Sequence, residues 1–176
     1  MPYPASGLDD SQISPQDVVV TLRSLPRRFT AALATPDDEN RPDDLLHRRP
    51  ASGGLSAIEH AAWTAQALGR LHDALHQILV HNNPRVSLPP LSPDPATLPT
   101  DVESASREEV VNQISAVALA LADEVEGVSG QDWTRTGQLN GTTITALDVA
   151  RGAVQLAIAH LRAASRTVSE VVQERG

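Results

Sequence analysis

Six histidines are the residues of this chain best suited to chemistry at neutral pH: His47, His60, His72, His76, His81 and His160. Cys is absent, which removes thiolate zinc sites, iron–sulfur clusters, disulfides and cysteine nucleophiles. Lys is absent too, all 14 basic residues being Arg, so Schiff-base chemistry and a P-loop lysine are excluded. Any metal site must therefore rest on imidazole and carboxylate. His72 and His76 stand four apart on a helical stretch, a spacing that can hold a divalent cation on one face. No His-Glu-x-x-His pattern surrounds them, and they flank the apolar stripe, so they read as partly exposed surface imidazoles. His81 suits a cation at a helix C-terminus, and His47 lies in a charged loop. His60 and His160 differ: each sits on a long helix at the edge of its apolar stripe, where a bundle can turn it inward. No Gly-x-Ser-x-Gly turn supports a Ser-His-Asp set.

Four amphipathic segments must position these groups. Ser14 before Pro15, with Asp17 in the first turn, starts a helix that runs to about Thr35. Pro26 lies inside it and predicts a kink or break near Leu25. The stretch PDDENRPDDLLHRRPASGG reads as a loop. Ser56-Ala57-Ile58-Glu59 is a capping box opening a second helix to about His81, with Ala61, Ala65, Leu68, Leu71, Leu75, Ile78 and Leu79 on one face. Asn82-Asn83-Pro84 ends it, and a Pro-rich stretch without period follows. Ser106-Arg107-Glu108-Glu109 and Thr145-Ala146-Leu147-Asp148 are further capping boxes, opening a third helix to about Val125 and a last one to near the C-terminus. Between them GVSGQDWTRTGQLNGTT reads as a loop. The boxes leave Glu59 and Asp148 committed to capping, so few carboxylates remain near His60 or His160.

The expected architecture is all-α, a four-helix bundle. The second helix spans about 40 Å at ~1.5 Å per residue. The Pro-rich connection can cover that distance, which permits helices two and three to run parallel and gives an up-down-down-up order. Composition agrees. Of 176 residues 40% are hydrophobic, yet aromatics number one Phe, one Tyr and two Trp, so the core must be Ala, Leu, Val and Ile at close approach. With 22 acidic residues the net charge is −8, which opposes binding to nucleic acid or anionic membrane. No apolar run reaches the roughly 20 residues of a membrane span, and the start lacks the marks of a secretory signal, so a cytoplasmic location is expected.

The segment GGLSAIEHAAWTAQALGRLHDALHQILVHNNP resembles the second-helix signature of DinB-like proteins, four-helix bundles that include mycothiol-dependent maleylpyruvate isomerase. QDWTRTGQLNGTTITALDVARGAVQLAIAHLRAASRTV is similar to that family's closing section, with Trp133, Arg135 and Gly137 in a Trp-x-Arg-x-Gly turn. LRSLPRRFTAALA looks like the first helix of actinobacterial members. The resemblance implies a three-ligand metal site that activates water or a thiol. Here Trp63 stands where the family places its helix-two ligand, with His60 one turn earlier. The two-His pattern of the last helix falls on Leu156 and His160, or on Gln155 and Ala159 in the neighbouring register. His60 and His160 are thus the remaining metal candidates. The expectation is a flexible tail over residues 1–13 and one DinB-like domain over 14–176. It would have lost the family's metal-dependent activity, hold no cofactor, and act as a small-molecule-binding or interaction module. The alternative is a metal-dependent (zinc or nickel) thiol transferase or isomerase, mycothiol-type, with a rearranged His site. Expected partners are a small molecule or thiol cofactor and, as a homodimer, a second copy of the chain. Trp63 is expected to be buried, and Trp133 to be a structural anchor.

Overall fold

A computed structural model describes residue 3, residues 10–36 and residues 42–176. Side-chain caps begin the long helices. Ser14 accepts from the Asp17 amide at 3.1 Å and Asp17 reaches back to the Ser14 amide at 2.9 Å, starting α1 (Pro15–Ala32). The Ser56/Glu59, Ser106/Glu109 and Thr145/Asp148 boxes close in the same way. They open α3 (Ala57–Val80), α4 (Arg107–Gly127) and α5 (Ala146–Arg175). Pro26 does not break α1, which continues through it to Ala32. Its buried Leu22, Leu25 and Phe29 hold the segment against the core on both sides of the lost backbone donor.

Two stretches expected to be loops carry structure. Pro42–His47 forms a short helix, α2, whose Leu45 and Leu46 are buried. Thr136–Leu139 (β1) and Thr142–Thr145 (β2) form an antiparallel hairpin. Its turn is Asn140-Gly141, both at positive φ (51° and 82°), the conformation a two-residue hairpin requires. Val86 and Gln138 pair across to it, so the start of the Pro-rich crossover is pinned to the hairpin.

Around the bundle the helices follow the order α1, α4, α3, α5. Arg23 pairs with Glu126 at 2.6 Å and Arg107 reaches the Leu33 carbonyl at 3.4 Å, so α1 and α4 are antiparallel. His72 and His76 meet Glu124 in the C-terminal halves of α3 and α4, so those two are parallel. Arg151 near the start of α5 donates to the Ile13 carbonyl just before α1. The order is up-down-down-up, with the crossover running from residue 81 to 106. The core is Ala, Leu, Val and Ile with Phe29, Trp63, Trp133 and Tyr3. Of the expected tail, residues 1–2 and 4–9 lie outside the described residues; Tyr3 is buried with its hydroxyl donating to the Pro89 carbonyl, and Ile13 is buried as well. Among the described residues no helix is long and apolar enough to cross a membrane.

Candidate functional site

His60 stands in the first turn of α3 and His160 near the middle of α5. Because these helices pack antiparallel, the two imidazoles meet. Their Nδ1 atoms are 3.0 Å apart and their ring centroids 5.2 Å, with the planes tilted by 48°. The Nε2 of His160 lies 2.6 Å from the carbonyl of Leu91 in the crossover. That carbonyl fixes the protons by elimination. A carbonyl only accepts, so His160 carries its proton on Nε2 and leaves Nδ1 bare. The bare Nδ1 only accepts, so His60 donates from its own Nδ1. Its Nε2 is then a lone pair without a partner among the described residues.

Both rings are held neutral. Burial, reinforced by the charge His160 would carry and by Arg166, pushes His60 down to about 4, against a smaller upward pull from Glu59. Burial also lowers His160, opposed by its bond to the Leu91 carbonyl. Glu59 does not pair with either imidazole. Burial pushes its carboxyl up, but Arg49 at 2.7 Å and the Ser56 amide outweigh that and hold it below the usual carboxylate range.

A cavity of about 510 Å³ opens above the pair, within the range of small-molecule sites. The segment before α3 supplies Arg49, Ser52 and Leu55, the crossover supplies Pro93 and Pro95, and α5 supplies Arg166 and Glu170. The crossover is therefore more than a spacer. It lends both a wall to the cavity and a carbonyl to His160. Nothing in its period-free sequence signals either role.

The other candidates fall elsewhere. Trp63 is 1% exposed and Leu156 fully buried, so two positions where ligands were expected from the resemblance hold apolar groups in the core. Gln155 is also buried, and neither its amide atoms nor the Trp63 indole N–H has a partner among the described residues. His72 Nε2 and His76 Nδ1 bond to the two oxygens of Glu124, at 2.5 and 2.7 Å, bridging α3 to α4. His47 ends α2, and His81 caps α3 from an exposed position. The cation at that C-terminus is Arg135, which donates to the carbonyls of Ile78 and His81, each at 3.0 Å. The Trp-x-Arg-x-Gly turn thereby finds its physical roles. Trp133 is 9% exposed and packs into the core. A Cβ on Gly137 would stand 2.9 Å from Ile78 and 3.2 Å from the Pro84 carbonyl.

Tested as a metal site, the donor set falls short. Two imidazoles converge, but among the described residues no group of three His, Asp or Glu side chains could hold an ion. The lone pair of one Nδ1 is also taken by the proton of the other. Three protein ligands are usual for a catalytic zinc, and these residues do not supply them.

No known protein family and no curated protein matches the chain. Among solved structures it is similar to YfiT from Bacillus subtilis, described as "a probable metal-dependent hydrolase with an unusual four-helix bundle topology". The likeness has a TM-score of 0.72 at 13% identity and covers 99% of this chain and 93% of that one. The two proteins share a fold.

Proposed function

We propose that this chain is a DinB-like bundle in which the metal-dependent chemistry of that family has given way to metal-free binding of a small molecule in the cavity above His60 and His160. The observation that carries the reading is the hydrogen bond between the two Nδ1 atoms. It occupies the two nitrogens that converge, leaving them no shared lone pairs for an ion, and the apolar Trp63 and Leu156 stand where further ligands are expected. The protein works in the cytoplasm, without nucleic acid or membrane as partner.

The competing reading, a metal-dependent thiol transferase or isomerase, has one observation in its favour. Two nitrogens on one tetrahedral zinc, with bonds of ~2.0–2.1 Å, stand about 3.3 Å apart, close to the 3.0 Å between the imidazoles. Metal analysis of untagged protein, followed by thermal unfolding with chelator and with micromolar zinc, separates the two. The expected result is no stoichiometric metal and an unchanged melting temperature. Saturation of a native-state site at one hundred times its dissociation constant adds roughly 2.7 kcal/mol, or several degrees. A shift of that size, abolished by His60→Ala and by His160→Ala, would overturn the metal-free reading and revive the enzyme one.

A further inference from the structure

We infer that the cavity above the histidine pair selects a small organic monocarboxylate that also carries a hydroxyl group, the carboxylate docking on Arg166 and the hydroxyl donating to Nε2 of His60. This rests on the reading of the cavity as a small-molecule site and names what that site takes.

The charge arrangement is the first ground. The chain carries a net charge of −8, yet among the described residues the charged side chains lining this cavity are Arg49, Arg166 and Glu170, two of them cationic. Two of the three are already engaged. Arg49 holds Glu59 through Nε and Nη2 at 3.0 and 2.7 Å, and Glu170 accepts from the Ser52 hydroxyl at 2.9 Å. Arg166 makes no hydrogen bond or ion pair with the described residues, and its charge is felt at His60. A free guanidinium presents a planar fork that fits a carboxylate through two parallel hydrogen bonds. With Arg49 committed to Glu59, the free Arg166 is the one unengaged cation among the described residues of the lining, and beside the Glu170 carboxylate it suits one negative charge and disfavours a dianion.

The second ground is the histidine tautomer. The Leu91 carbonyl dictates, through His160, that His60 offers its ligand a lone pair rather than a proton. A neutral, half-solvated acceptor discriminates for a donor, because a ligand without one leaves the nitrogen desolvated and unpaired. Leu55 and Pro93 in the wall give an apolar body a surface to cover. Together these groups specify a charged head, a donor and an apolar remainder.

Mandelate is a suitable probe, compared with phenylacetate, which lacks the hydroxyl, with mandelamide, which lacks the charge, and with phenyl phosphate, which is a dianion. Calorimetry on the full chain is expected to give a sub-millimolar dissociation constant for mandelate, and about tenfold weaker binding for each comparator, the effect of losing roughly one good polar contact. Arg166→Gln, a change at an exposed position, should weaken mandelate by tenfold or more while leaving the ligand-free melting temperature unchanged. Arg70→Gln, outside the cavity, should leave binding intact. The ¹⁵N resonance of His60 Nε2 should move from the bare-nitrogen position on adding mandelate and not on adding phenylacetate. Equal binding of mandelamide, tighter binding of phenyl phosphate, indifference to Arg166→Gln, or no binding of mandelate would each overturn the inference. Binding of mandelamide in the cavity would sink it while leaving the metal-free binding reading in place; metal loading at the histidines would sink that reading instead.

Discussion

At the scale of single residues, the neutral state of His60 has a thermodynamic signature. Its folded pKa of about 4 lies below the 6.5 of an unperturbed imidazole, so the unfolded chain takes up the proton first. The stabilisation from keeping His60 neutral is fully present above pH 6.5 and is lost as pH falls toward 4. The loss integrates to about 3 kcal/mol. Urea unfolding across that window should show stability falling in the native chain and falling less in His60→Gln. Trp63 allows a second test. Its indole N–H is buried without a partner among the described residues, and such a donor costs about 1–3 kcal/mol. Trp63→Phe removes the donor along with part of the ring, and the net change should stay within about 1 kcal/mol. Trp63→Ala, which empties the volume, should cost about 3–5 kcal/mol in the same assay. The inward turn of His60 and His160 is legible from their place at the edge of apolar stripes. Their proton arrangement is not, because it depends on a backbone carbonyl supplied 69 residues before His160.

At the scale of elements, local chemistry explains which segments sequence reasoning locates. Helix starts are encoded within four residues, by a cap and an acid three positions on, and all four long helices begin where those residues stand. The hairpin was legible too, in Asn140-Gly141 between Thr-rich flanks, a signal outweighed by the polar composition around it. α2 was not, since six residues of helix carry too little periodicity to separate from a charged loop. The turn between α4 and α5 works as a plug and clamp. Gly137→Ala should destabilise by about 1–3 kcal/mol through overpacking against Ile78 and the Pro84 carbonyl. Trp133→Ala should cost about 3–5 kcal/mol, since the ring fills core volume in a chain with few aromatics. Both are read from thermal or urea unfolding; a change below about half a kcal/mol for Trp133→Ala would mark a surface residue. The His72–Glu124–His76 bridge escaped a reading of α3 alone because its centre lies on α4.

At the scale of the whole molecule, the order of helices was legible from the length of one connection, which permits two consecutive helices to run parallel. The cavity was not, because its walls come from three separate segments that composition alone does not bring together. That same order governs how the chain can reach its fold. In an ordinary up-down bundle, consecutive helices form hairpins that can assemble early and stay. Here α1 packs on α4 and α5 rather than on α3, and α4 and α5 lie across the diagonal. The Arg23–Glu126 and His60–His160 contacts close loops of 103 and 100 residues. Loop closure must come before most of the burial that rewards it, so refolding should be slow for a helical protein and without a stable half-bundle on the way. The histidine pair and its cavity are then among the last features to exist. Any molecule that settles there meets a finished protein, and by binding only that state it slows the chain's departure from it.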